Sequence, residues 1–180
     1  GLPPLHAKKS RPPQPVLFDL EREADIGDAV HEHLQSAFLV IDDDALVSYI
    51  TRVGERVRPY IPGANPRIRY YLSDASSVQA LSVLGGRIYV TRRMAAFVRS
   101  EDELAAVLAH EIAHDASRDA AAEVSRRLRA LGVSGIADRR DAFEKYNQLL
   151  DGAARAAGSA RRGDDEQAQV AADRLAVHAI

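Results

Sequence analysis

Apolar residues recur between Phe18 and Phe38 at Leu20, Ile26, Ala29, Val30 and Leu34, a period near 3.6 that predicts an amphipathic helix over this stretch. A second helix is expected from Asp42 to Tyr60, opened by three aspartates suited to a helix N-terminus and closed by Pro62-Gly63. The texture then changes. RIRYYL (67–72), SVQALSV (77–83) and GRIYVT (86–91) are short, rich in Ile, Val and Tyr and separated by turn residues, which predicts strands. Gly85-Gly86 marks a tight turn or a bulge. Helix returns at Met94–Val98 and, behind the acidic start SEDE, from Glu101 to about Ala121. Further helices are expected over 123–131, 138–157 and from Asp165 to the C-terminus, the last reached through the small-residue, charged loop GSARRGDDE. The order of elements is that of an α+β fold, a small, mostly antiparallel sheet packed against several helices.

The 180 residues suit one domain with one sizeable core. Residues 1–16 hold five of the eight prolines with no apolar period and read as a flexible Pro-rich arm, leaving 17–180 as the domain. With 28% charged residues and a net charge of −2 there is no basic excess, so nucleic acid is not the expected partner. No apolar run approaches the roughly 18 residues of a membrane span, and no export signal is visible, so a soluble chain is expected. The chain has no Cys, so any metal must be held by His and oxygen ligands. His31 and His33, two apart on a helix, point to different sides and read as surface or capping residues.

Residues 104–113, LAAVLAHEIA, place apolar side chains in nearly every direction around a helix axis, the signature of a buried rod. His110, Glu111 and His114 share an arc of about 100° on that rod. Buried polar groups need partners, and a divalent metal is one: imidazoles at i and i+4 can grip a single Zn²⁺ while the Glu between them reaches the water that the metal holds. The plainer alternative is two satisfied core histidines and a salt-bridged Glu. The position of the motif, in a buried helix that follows a strand, favours the metal. The extended motif with a third His is excluded, because Ser117 and Ala120 stand where it needs Gly and His. A third ligand is then expected from a later helix, most naturally as a carboxylate.

The block Gln79–Asp119 resembles metallopeptidase family forty-eight, the gluzincin group that includes HtpX, the CAAX prenyl endopeptidase and the periplasmic BepA-like proteases. Gln79-Ala80-Leu81-Ser82 with Gly85-Gly86-Arg87-Ile88-Tyr89-Val90 matches the family's strand motif, and Glu101–His114 its E-x-E-L-A-x-V-L-x-H-E-x-x-H helix almost letter for letter. The segments EREADIGDAVHEHL and LVSYITRVGERV look like those of the soluble, BepA-like branch. The resemblance implies a zincin-like fold, one Zn²⁺ per chain and endopeptidase activity on extended or unfolded protein substrates. It assigns the metal to His110, His114 and position 169, proton transfer to Glu111, support of a ligating imidazole to Asp173, and main-chain substrate pairing to the strand Gly86, Arg87, Ile88, Tyr89. It also implies an exported, periplasmic home after signal-peptide removal, with the cytoplasm as the alternative.

Three departures from the family pattern stand out. The third ligand, a Glu in the family, falls on Gln169, whose amide contributes no negative charge; Asp165 and Glu166, one turn earlier, could replace it only if that helix shifted. Gln169 therefore motivates a second reading, a catalytically impaired relative that binds proteins through the same groove. Arg118-Asp119 replaces the usual R-H after the zinc helix, which bears on the contacts behind the ligands more than on the metal, and the chain stops at Ile180, soon after the A-D motif, as either a fragment or a reduced protease core would. His178 reads as a surface residue, and Tyr70, Tyr71, Tyr89 and Tyr146 are undifferentiated candidates for stabilising an oxyanion.

Overall fold

Each of the first four helices begins where a short polar side chain can accept a main-chain N–H of its first turn, the usual remedy for the orphan donors of a helix start. In the computed structural model, which describes residues 15–37 and 39–160, Asp19 opens α1 (Leu20–Ser36) and Asp43 opens α2 (Asp44–Val57). Thr91 opens α3 (Arg92–Phe97) and Ser100 opens α4 (Glu101–Ala116). Two more helices follow, α5 (Asp119–Ala130) and α6 (Arg139–Ala160). α2 runs into a single 3-10 turn, Arg58–Tyr60, as Pro59 removes a helical donor.

Four strands form one sheet: β1 (Val40–Ile41), β2 (Arg69–Ser73), β3 (Ala80–Val83) and β4 (Arg87–Thr91), in the order β1-β2-β4-β3. The outer pairings, β1 with β2 and β3 with β4, are antiparallel, and the central pair β2 with β4 is parallel. The turn between β3 and β4 places both Gly85 (φ 74°) and Gly86 (φ 70°) in the left-handed region, which glycine enters at no steric cost.

The alternation of side chains along the strands divides the core in two. Tyr70, Leu72, Ile88 and Val90 point to α2 and α4, where they meet Ile50, Val53, Leu104, Leu108 and Ile112. Val83 and Tyr89 point to α1, α5 and α6, where they join Ile26, Val30, Val124, Leu128 and Tyr146. On the first side α2 comes so close that the Tyr70 ring lies against Gly54, where a Cβ would be 2.3 Å from it.

Two elements differ from the expected ones. The short strand β1 occupies Val40–Ile41, between the two first helices, and two residues are too few to carry a readable alternation. The helix expected over 101–121 ends at Ala116, and α5 starts afresh at Asp119. The break is at Arg118, whose φ of 53° is left-handed. That conformation costs an L residue about 1–2 kcal/mol. It is offset by a tertiary ion pair, Arg118 with the buried Glu23 of α1 at 2.6 Å.

Candidate metal centre

α4 seats itself through Leu104, Leu108 and Ile112, a stripe at i, i+4 and i+8 that is fully buried against α2 and the sheet. His110, Glu111 and His114 project beside that stripe. The expectation of a helix buried all round does not hold among the described residues: Ala106, His110, Ala113 and His114 are exposed. Small alanines make the rod look uniformly apolar, whereas among its residues only the leucine and isoleucine stripe is fully buried.

The two imidazoles converge. His110 Nε2 and His114 Nε2 are 3.0 Å apart and the rings meet edge to face, with centroids 4.5 Å apart. Two nitrogens bound at 2.0–2.1 Å in a tetrahedral zinc shell stand about 3.3 Å apart, so an opening of a few tenths of an ångström admits the ion. The residues present therefore fit a zinc ion at two of its positions. Among the described residues no group of three or more His, Cys, Asp and Glu gathers into a ligand set. Gln169, Asp173, Asp165, Glu166 and His178 lie outside the described residues.

His114 has its other ring nitrogen fixed as well. Nδ1 lies 2.7 Å from Asp119 Oδ2, so Nδ1 carries the proton, donates to the carboxylate and leaves Nε2 with a lone pair facing His110. In the sequence Asp119 marks a departure from the family pattern that bears on the contacts behind the metal ligands more than on the metal, without naming a partner. Nothing local signals its role, since five residues along a continuous helix it would stand about 140° away from His114. The break at Arg118 brings it back.

Glu111 is half-buried, and the main-chain N–H of Ser82 on β3 donates to its Oε2 at 2.8 Å. Burial raises its proton affinity, and the Ser82 N–H and the two imidazoles work against that rise. One turn on, the Asp115 carboxyl is pushed up to about 6, by burial first and then by the Glu23 carboxylate, while a hydrogen bond from Gly86 N–H works in the opposite sense. Glu111 and Asp115, at i and i+4, thus face the β3–β4 hairpin at two points. A cavity of about 790 Å³ opens at this end of α4, with Glu23, Arg67, Asp115 and Arg118 on its wall.

The strand expected to offer its edge to a substrate does not have one. β4, with Arg87, Ile88 and Tyr89, is an inner strand paired on one side with β2 and on the other with β3, and all five of its residues are buried. Gly86 lies in the turn that precedes it. The edge beside the motif belongs to β3. Thr91 N–H bonds Gln79 O across the β3–β4 pair, so by alternation Ala80 and Ser82 turn their main-chain groups outward, and Ser82 N–H meets Glu111 there. Sequence alone could not rank the strands, because edge or centre is a property of sheet order.

The remaining candidates are accounted for by tertiary contacts. His31 is half-buried rather than free on the surface: its Nδ1 is 2.7 Å from the Tyr89 hydroxyl and its ring is 4.4 Å from that of Tyr71. His33 packs edge-on against Tyr146. Tyr71, Tyr89 and Tyr146 therefore lie on the α1 side of the sheet, away from α4, and Tyr70 sits against Gly54 of α2.

The profile of peptidase family M48 matches residues 47–179. The beta-barrel assembly-enhancing protease of Yersinia pestis is 27% identical over 123 residues, 67% of this chain and 25% of that protein. Its counterpart from Escherichia coli (strain K12) is 25% identical over 119 residues, 66% of this chain and 24% of that protein. The matched region thus spans about a quarter of these relatives' length.

Proposed function

Since the chain belongs to peptidase family M48, we propose that it is a zinc-dependent endopeptidase that cleaves extended or unfolded protein chains. The observation that carries this reading is the convergence of His110 and His114 at 3.0 Å, with the Glu111 carboxylate on the same helix anchored to the neighbouring edge strand. Zinc, when bound, lowers the pKa of a water it holds and polarises a carbonyl.

In this reading His110 and His114 supply two ligands and the position of Gln169 a third. Asp119 keeps His114 in the tautomer that presents Nε2 to the metal. Glu111 is the proton carrier: Ser82 N–H occupies Oε2, leaving Oε1 to take a proton from the attacking water and to return it to the leaving amine. An extended substrate pairs with the outward N–H and C=O of Ala80 and the C=O of Ser82 on β3, the Ser82 N–H being held by Glu111, so that backbone rather than side-chain contacts supply much of the affinity. Broad specificity for unstructured chains follows. The names of the relatives, which describe enhancement of β-barrel assembly, favour the same placement outside the cytoplasm that the resemblance implies, and among the described residues no helix is long and apolar enough to cross a membrane.

Gln169 supports a second reading, a protein-binding relative without turnover. Zinc content and casein hydrolysis, measured for this chain, for Glu111→Gln and for Gln169→Glu, separate the two. Stoichiometric zinc with turnover that drops about 10²–10⁴-fold in Glu111→Gln is expected of the endopeptidase. Absence of zinc and of turnover, both restored by Gln169→Glu, would establish the second reading instead.

A further inference from the structure

We propose that Glu23 of α1 is a positioning residue for His114, acting through Arg118 and Asp119. The inference depends on the zinc reading only for its consequence on metal affinity.

Arg118 is the only non-glycine residue with a positive φ among the described residues. Such a backbone persists when its surroundings over-determine it. Here the guanidinium does so: Arg118 Nε and Nη2 donate to Glu23 Oε2 at 2.9 and 2.6 Å, and Nη2 also donates to the Phe18 carbonyl at 3.3 Å. Glu23 is 6% exposed, so this pair is poorly screened by solvent.

The consequence lies one residue on. The left-handed turn at Arg118 ends α4 and restarts the chain as α5 with Asp119 first, folding its carboxylate back to 2.7 Å from His114 Nδ1. On an unbroken helix Asp119 would stand about 7.5 Å further along the axis and about 140° around it, out of reach. The His114–Asp119 contact thus requires the break, and the break is clamped from α1, some 95 residues earlier in the chain. A carboxylate behind a ligating imidazole fixes its tautomer and raises its basicity, which makes Glu23 a distant determinant of how well His114 binds a metal.

The test reads the ring directly. In the ¹⁵N-labelled, metal-free chain, two-bond ¹⁵N–¹H spectra are expected to show His114 protonated at Nδ1, and Asp119→Ala to move it towards the Nε2-protonated form. Glu23→Ala is expected to shift His114 in the same direction. It should have no effect in an Arg118→Gly background, because glycine holds the left-handed conformation without a clamp. Zinc affinity, from competition with a chromophoric chelator, should fall about 10–100-fold in Asp119→Ala. Glu23→Ala should lose part of that affinity, and none of it when Arg118 is Gly. If Glu23→Ala does not fold, Glu23→Gln, which keeps an acceptor oxygen but not the charge, takes its place. An unchanged His114 tautomer in the folded Glu23 variant overturns the inference and leaves the zinc reading standing. Unchanged zinc affinity in His110→Ala sinks the zinc reading, while the tautomer result still decides for or against Glu23.

Discussion

His31 and His33 on α1 and His110 and His114 on α4 flank opposite faces of one sheet, and their surroundings differ in kind. On the α4 side, spacing by four residues stacks the rings and points two Nε2 atoms at each other across 3.0 Å. On the α1 side, spacing by two turns the rings apart, and each finds its own aromatic partner: Tyr71 and Tyr89 for His31, Tyr146 for His33. The charges differ as well. The proton affinity of His31 is lowered, by burial first and then by Arg87 and Arg69, an environment that also repels a metal cation. His114 instead faces the Asp119 carboxylate. Helical spacing selects which pair can chelate, and the neighbours from other elements decide what each ring is prepared to hold.

This contrast can be broken most directly at the rings themselves. His110→Ala and His114→Ala are each expected to abolish stoichiometric zinc, measured by elemental analysis after gel filtration, whereas His31→Ala leaves zinc content unchanged. Retention of zinc by the α4 variants, or its loss in His31→Ala, would reverse the assignment of the two faces.

The packing beneath each pair comes next. Leu108 is fully buried under the zinc helix, so Leu108→Ala should cost about 2–5 kcal/mol in denaturant unfolding. Tyr89→Phe removes only the hydroxyl that His31 holds at 2.7 Å and should cost about 1 kcal/mol, with zinc binding untouched. A smaller loss at Leu108 than at Tyr89 would mean that α4 is seated by something other than its apolar stripe.

The smallest effect concerns α5, which carries Asp119. Glu123, paired with Arg126 at 2.5 Å and Arg127 at 2.7 Å, has its carboxyl lowered to about 2, first by the hydrogen bond from Arg126. A folded pKa below the unfolded one contributes stability that is present above about 4.5 and is lost as pH falls towards about 2. The pairs lie on the solvent side of the helix, so Glu123→Gln should cost only about 0.5 kcal/mol at pH 7, and the difference should vanish near the acid end of that window. A pH-independent difference would argue against the ion pairs as its source.

Much of the arrangement was legible in the chain. The apolar periods gave α1, α2 and the central strands, and Gly85-Gly86 gave the turn between β3 and β4, because each is a signal within one or two turns of backbone. The H-E-x-x-H spacing gave the convergence of His110 and His114, since helix geometry alone stacks residues four apart. Other expectations failed for a common reason. The helix drawn through Ala121 contains no Gly or Pro at Ser117-Arg118 to warn of a break, and that break is held by Glu23 from another helix. The burial expected around all of α4 mistook alanines for core residues.

What the sequence determined by itself, then, is local: which residues are helical, which imidazoles can face one another, and which carboxylate lies between them. The tertiary structure alone decided that β3 rather than β4 offers an edge, that His31 belongs to Tyr89, and that Asp119 stands behind His114. Sheet order, burial and a left-handed arginine each depend on contacts between residues far apart in the chain, and no period or spacing in the sequence encodes those contacts.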